Sequence, residues 1–381
     1  MTEYGHMGVD WEERINFDRL RRERLAKVRA AMEKLDTDAL LVFRHEHTRY
    51  ITGFRFLWYP VPNITLPRTI LTRDGAPILY CDSYANVTKD RLPWMAPENI
   101  RPWGNPEEWK RALGKHVEGK IGIDIWTPRM FDLLPQVFPK AKFVDGHKVM
   151  QEAQLIKTRD EIECLRAAEI ITEAGLDAAL NFLRPGVKEC ELLAVAWGEM
   201  TRLGSEYFQC SNIVASGPNT APYRKVTSDR IIKRGDLVIL DIGGCYNGYW
   251  GDITRTWICG DSLPTKEQRR LNQACYNSLM AACAACKPGN TTADVYRAAE
   301  PNILDERLGH GSSLSPWEPP WFNALSKSEP LTLRPGMAFN LEPYAGKPAV
   351  GGFRLEHQVL VTETGPEIYS TYPFDDRLRD E

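Results

Sequence analysis

Five residues able to ligate a hard metal ion lie in one order across the C-terminal half of the chain: Asp241, Asp252, His310, Glu342 and Glu356. Their surroundings constrain the fold more than any other feature. Asp241 ends the apolar run Leu237-Val238-Ile239-Leu240, which reads as a buried strand finishing in a carboxylate. Asp252 comes after Gly243-Gly244 and Asn247-Gly248, a turn that returns the chain antiparallel. Across such a turn, the face alternation of one continuous strand no longer separates the two aspartates. His310 is flanked by Gly309 and Gly311, Glu342 closes Ala338-Phe339-Asn340-Leu341, and Glu356 opens a strand running through Val359-Leu360-Val361. Four carboxylates and one imidazole form an oxygen-rich set that repels itself without cations. Two divalent ions would neutralise it and leave positions open for a bridging water. Manganese, iron, cobalt and zinc all suit these donors.

The rest of the chain supplies two domains, with a boundary near residue 155: 1–155 and 156–381. A charged helix covers the first 35 residues, with Leu20, Leu25, Val28, Met32 and Leu35 spaced for one face. Short strands are expected at 39–43, 69–71, 77–80 and 121–124, alternating with helical stretches, so the first domain is mixed α/β. His45 and His47 follow the first strand and read as part of a polar loop rather than as ligands. In the second domain, helices are expected from Lys157 through Leu180, at about 189–203, near 264–286 and at 291–305. They flank the metal-bearing strands in an α+β arrangement. Cys283 and Cys286 form a Cys-x-x-Cys inside an alanine-rich helical run and read as small core residues.

The five residues and their settings resemble the pita-bread metallopeptidase family, which includes methionine aminopeptidase, aminopeptidase P, prolidase and creatinase. Asp241-Ile242-Gly243 and Asp252-Ile253-Thr254-Arg255-Thr256 resemble its two-aspartate motif, and Ala215-Ser216-Gly217-Pro218-Asn219 its substrate-side loop. Gly309-His310-Gly311, Glu342-Pro343 and Arg354-Leu355-Glu356 supply the rest, and Tyr50-Ile51-Thr52-Gly53-Phe54 resembles a segment of the creatinase-type N-terminal domain. The resemblance implies a creatinase-like α/β N-terminal domain, a pita-bread catalytic domain, two divalent ions and a homodimer. It also implies roles. Asp241 chelates one ion, His310 and Glu342 the other, and Asp252 and Glu356 bridge both.

Two departures matter. Family peptidases usually carry histidines seventeen residues before the first aspartate and seven residues after the metal histidine. Here those positions are Arg224 and Trp317. Imidazole exchanges protons near pH 7, whereas arginine stays protonated and indole only donates. Glu342 is then the remaining proton acceptor. Arg224 offers a planar fork for a substrate carboxylate. Trp317, Trp321 and Phe322 offer aromatic faces to an apolar or cationic group of the substrate, and Tyr223 is a further substrate-binding candidate. The first expectation is therefore a hydrolase cleaving a C–N bond of a dipeptide or other small molecule. Relatives of this fold that act on small zwitterions, ectoine hydrolase and a dimethylsulfoniopropionate lyase, give the second. Tyr372-Pro373-Phe374-Asp375 resembles the end of that lyase branch, but its two further aspartates are replaced here by Gly243 and Pro316. A catalytically silent interaction module is third, and retention of all five ligands argues against it.

Composition narrows the setting. The net charge of −3, with both signs interspersed, argues against nucleic acid as a partner. The chain shows neither a signal peptide nor an apolar run of membrane-spanning length. Nine cysteines fit reduced thiols and a cytoplasmic location.

Overall fold

The computed structural model describes residues 14–55, 66–81, 85–207, 212–223, 226–300 and 307–379. The chain forms two compact units. One spans Asn16–Thr158, and the other begins at Arg159.

The first unit runs α1 (Phe17–Lys34), β1 (Ala39–Val42), α2 (His45–Thr52), β2 (Thr69–Thr72), β3 (Ile78–Tyr80), α3 (Ala85–Arg91), β4 (Ile100–Arg101), α4 (Pro106–Leu113), β5 (Lys120–Ile123), α5 (Pro128–Val137), β6 (Lys142–Asp145) and α6 (Gly146–Leu155). Its strands make one mixed sheet in the order β4-β3-β2-β1-β5-β6. The apolar run of β1 is buried throughout, as a central strand covered on both faces requires. It pairs antiparallel with β2 and parallel with β5. Helix α1 starts at Phe17, capped by the Asn16 side chain on the Arg19 N–H, and buries Leu20, Val28 and Met32 of its expected face. The part of that expected helix before residue 14 lies outside the described residues.

One expectation fails in this unit. His45 and His47 do not sit in a polar loop: they open helix α2 and are buried. The reason lies at the end of β5. Asp124 accepts the N–H groups of Phe43 (2.8 Å) and Arg44 (3.1 Å), and pairs with His47 Nδ1 (2.8 Å). A carboxylate remote in sequence thus satisfies the chain end of β1 and turns it into a helix.

The second unit opens with helices α7 (Arg159–Phe182) and α8 (Glu189–Arg202), followed by strands β7 (Ile213–Ser216), β8 (Leu237–Ile242), β9 (Cys245–Tyr246), β10 (Tyr249–Trp250) and β11 (Ile253–Ile258). Then come α9 (Lys266–Ala285), α10 (Thr292–Ala299), β12 (Arg307–Gly311), β13 (Glu318–Asn323), β14 (Ala338–Leu341), β15 (Tyr344–Lys347), β16 (Gly351–Arg354), β17 (His357–Thr362) and β18 (Gly365–Ile368). Two sheets carry the site. One has the order β11-β8-β7 and the other β13-β12-β14-β17-β18. Asn247 (φ 49°) and Gly248 (φ 84°) join β9 to β10 with the two positive φ angles of a type I′ turn. Helix α10 ends earlier than the 291–305 expected, and residues 301–306 lie outside the described residues. Cys283 and Cys286 are buried thiols on and just beyond α9.

Candidate metal centre

Strands β8 and β11 pair antiparallel with Asp241 opposite Thr254 and Ile242 opposite Ile253. Asp252 therefore precedes β11 at the end of the ladder where β8 finishes, and both carboxylates reach the same place. Glu356 joins them from the second sheet. Its N–H donates to the Thr254 carbonyl (3.1 Å), and the Thr254 hydroxyl donates to its Oε2 (2.7 Å). One ligand atom each of Asp241, Asp252 and Glu356 lies within 4.8 Å of the others, and all three residues are buried.

His310 and Glu342 complete the ring from neighbouring strands. Residue 310 pairs with Asn340 across β12 and β14, and Glu342 follows the last residue of β14. His310 Nε2 lies 3.6 Å from Glu342 Oε1 and 3.8 Å from Asp252 Oδ2, while Nδ1 faces the Gly311 carbonyl at 3.1 Å. The flanking glycines are required by close approach. A Cβ at Gly309 would fall on the Asn340 carbonyl oxygen, and one at Gly311 on the Pro319 carbonyl oxygen.

Electrostatics support a cation in this ring. Burial, then the Glu342 and Asp241 charges, push the Glu356 carboxyl well above its usual range. Burial lowers His310, which keeps the imidazole neutral and able to ligate. Glu356 Oε1 is buried and has no hydrogen-bond partner among the described residues. A buried carboxylate oxygen without a donor is costly, and a divalent ion would supply what it lacks. The donor set thus fits divalent metal.

The sequence-expected residues converge on one pocket of about 310 Å³. Tyr223, Asp241, Asp252, His310, Trp317, Trp321 and Glu342 all line it. Trp317 and Trp321 form its outer wall, 45% and 44% exposed, with their rings 6.2 Å and 6.5 Å from that of His310. Phe322, expected beside them, is instead fully buried and packs against Phe339, because strand alternation turns it to the opposite face from Trp321. Tyr223, expected on the substrate side, donates its hydroxyl to Asp241 Oδ2 (2.7 Å). Burial raises that phenol well above its usual range, so it stays a donor. Arg224 lies outside the described residues.

Sequence reasoning passed over three residues here. Arg354 appeared only as part of a motif, yet its buried guanidinium pairs with Glu342 through Nη2 and lies 3.7 Å from Asp241 Oδ2 through Nε. Burial opposes its charge, but Glu342, Tyr223 and Asp241 outweigh burial and hold it protonated. The ion pair engages Glu342 Oε2 and leaves Oε1 toward His310. Asn340 steadies Asp252 by donating to Oδ2 (3.1 Å). Arg307 lines the pocket three positions before His310, a placement that regular strand alternation would not give.

Comparison with known proteins agrees with this geometry. The model of metallopeptidase family M24 matches residues 163–363, and that of the creatinase/prolidase N-terminal domain matches residues 24–156. A Xaa-Pro dipeptidase of Pyrococcus horikoshii is 28% identical over 360 residues, covering 90% of this chain and 95% of the relative. A putative dipeptidase of Bacillus subtilis, YkvY, is 26% identical, covering 92% and 98%. Among solved structures, the Xaa-Pro dipeptidase from Bacillus anthracis superposes with a TM-score of 0.80 at 25% identity, covering 93% of this chain and 99% of that one. The dipeptidase PepE from Mycobacterium ulcerans gives 0.81 at 25% identity, covering 95% and 98%. With its motifs converging on one acidic pocket, the chain belongs to metallopeptidase family M24 and is a metal-dependent hydrolase with a creatinase-type N-terminal domain and a pita-bread catalytic domain.

Proposed function

We propose that the chain is a dinuclear dipeptidase, with Asp241, Asp252, His310, Glu342 and Glu356 holding two divalent ions and a dipeptide-sized substrate filling the pocket above them. The observation that carries this reading is Glu356. A buried carboxylate whose Oε1 has no donor among the described residues, set among two further carboxylates, calls for cations. Ions held there would acidify water and polarise the scissile carbonyl.

The protein's own groups do the rest. Neutral His310 is oriented by the Gly311 carbonyl, and Arg354 offsets the charge of Glu342. The Tyr223 hydroxyl and the Asn340 amide fix the two aspartates. Glu342 Oε1 faces the pocket as the expected proton acceptor. Trp317 and Trp321 pack against the apolar part of the substrate and shed water from it. Arg224 is proposed to hold a substrate carboxylate, on the strength of its sequence position alone. The dipeptidases among the relatives support a peptide substrate, and neither the zwitterion-acting reading nor the silent-module reading gains support from them. The same proposal places the protein in the cytoplasm as a homodimer. The described cysteines form no disulfide, and no described helix is long and apolar enough to cross a membrane.

The test is a dipeptide panel, with and without proline in the second position, run on protein reconstituted with manganese, cobalt or zinc. Hydrolysis of at least one dipeptide class, abolished by chelation, is the expected result. No hydrolysis of any dipeptide by the loaded protein would overturn it. Positions 224 and 317 lack the proton-exchanging histidines, whose kind contributes typically 10²–10⁴-fold each. Xaa-Pro dipeptides are therefore expected to turn over slowly, with kcat/KM below about 10⁴ M⁻¹s⁻¹.

A further inference from the structure

Helix α7 carries a buried acid behind the metal centre that neither the ligand set nor packing explains. Ala168, Glu169 and Thr172 share one face of the helix, being three and four residues apart. That face sits on the turn that presents the two aspartates. The Thr172 hydroxyl accepts the Gly244 N–H (2.9 Å), and together with the Ala168 carbonyl it fills the space that a side chain at Gly251 would occupy. Glu169 belongs to the same contact and is 1% exposed. An apolar residue of similar size would pack there without the cost of burying a carboxyl group.

The group that Glu169 serves is Gln358. Gln358 is fully buried and pairs with Asn340 across β14 and β17, so two amides lie side by side toward Asp252. Asn340 donates to Asp252 Oδ2 (3.1 Å). The Gln358 carbonyl accepts the Asp252 N–H (2.7 Å), a group that lies one residue before β11 and outside its ladder. This orientation is imposed from behind, where the Gln358 NH₂ donates to Glu169 Oε2 (3.0 Å) and to the Tyr369 hydroxyl (3.3 Å). A carboxamide has nearly the same shape either way round, and its partners alone choose between the two. Turned over, it would set its NH₂ against the Asp252 N–H and its carbonyl against Glu169. A tyrosine hydroxyl accepts or donates and tolerates both orientations, whereas the accepting oxygen of Glu169 fits only one. We propose that Glu169 is a positioning residue of the metal centre, fixing the Gln358 amide and through it the backbone of Asp252. That role rests on Asp252 being a metal ligand, and adds a residue that touches neither ion nor substrate.

The test uses the full chain, stripped of metal and titrated with cobalt, as wild type, Glu169→Leu, Glu169→Gln, Gln358→Met and the Glu169→Leu/Gln358→Met double variant. Leucine removes the acceptor at similar bulk, while glutamine keeps an accepting oxygen. Glu169→Leu should bind cobalt about tenfold to 100-fold more weakly, the scale of a group behind a ligand, and should change the visible absorption bands of the bound ion. Its metal-free urea midpoint should hold or rise, because an apolar side chain replaces a buried carboxyl group. A residue required only for folding would lower both together. Glu169→Gln should recover most of the affinity. Gln358→Met should weaken cobalt at least as much as Glu169→Leu, and the double variant should be no weaker than Gln358→Met alone, since both changes act on one N–H. Unchanged affinity and spectrum in Glu169→Leu, a matching fall in its metal-free stability, no rescue by glutamine, or additive losses in the double variant would overturn the assignment. A wild type that takes up no cobalt would defeat the metal-centre reading itself. A wild type that does, beside an unaffected Glu169→Leu, would defeat only the role of Glu169.

Discussion

The two units bury acidic residues in opposite ways. In the N-terminal unit, Asp124 accepts from two backbone N–H groups and pairs with His47. In the C-terminal unit, Asp241, Asp252 and Glu356 converge within a few ångströms, and Glu356 Oε1 has no donor among the described residues. Both arrangements are equally remote from water. Burial alone therefore does not mark a functional carboxylate. What distinguishes them is the count of donors, since a buried oxygen with protein partners is structural and one without them awaits a ligand.

That contrast can be broken by substitution. Glu356→Ala should remove more than about 100-fold of the peptide turnover of wild type, beyond what loss of a supporting residue costs, with the circular dichroism spectrum retained. Substantial residual turnover would mean that the orphaned carboxylate is not part of the centre. Asp124→Ala should act on folding instead. It strands the buried N–H of Phe43, the part-buried N–H of Arg44 and the His47 ring, at up to about 1–3 kcal/mol for each unsatisfied buried group. A fall in urea midpoint with metal content unchanged is expected in the protein that remains folded. Loss of bound metal at full stability would erase the distinction between the two units.

Smaller effects sharpen it. Thr254→Val removes the hydroxyl that orients Glu356 Oε2, and a tenfold to 100-fold loss of metal affinity is expected, the usual scale for a group behind a ligand. Unchanged affinity would show that the strand backbone alone positions Glu356. The smallest effect concerns pH. Burial, then the charge of His47, lowers His147 of the N-terminal unit to about 4 from an ordinary value of 6.5. The unfolded chain then binds the proton first as pH falls, so the contribution of His147 is complete above pH 6.5 and lost progressively toward pH 4. His147→Gln should flatten the acid side of the stability curve across that window. An unaltered curve would show that His147 stays neutral for no energetic gain.

Legibility followed the distance over which each arrangement is set. The two-aspartate hairpin could be read because its parts are local: an apolar strand, Asn247-Gly248 with the φ angles of its turn, and a strand returning in register. His310 was legible through its two glycines, which the crowding against Asn340 and Pro319 demands. The helix at His45 was not, because the group that builds it, Asp124, is 77 residues from His47 in the chain. Arg354 was visible only as a motif letter, since pairing with Glu342 depends on how β14, β15 and β16 bring two residues together. Arg307 escaped for a different reason. Strand parity is readable from sequence, but a bulge that resets it is not.

The central claim is that the acidic ring is a two-ion centre, and metal titration of the stripped protein tests it most directly. Wild type should take up about two manganese or cobalt ions per chain, the number that a clamp of four carboxylates and one imidazole accommodates, and Asp252→Ala should take up markedly fewer at unchanged fold. A wild type that binds no metal, or an Asp252→Ala protein that binds as many ions as wild type, would contradict the account.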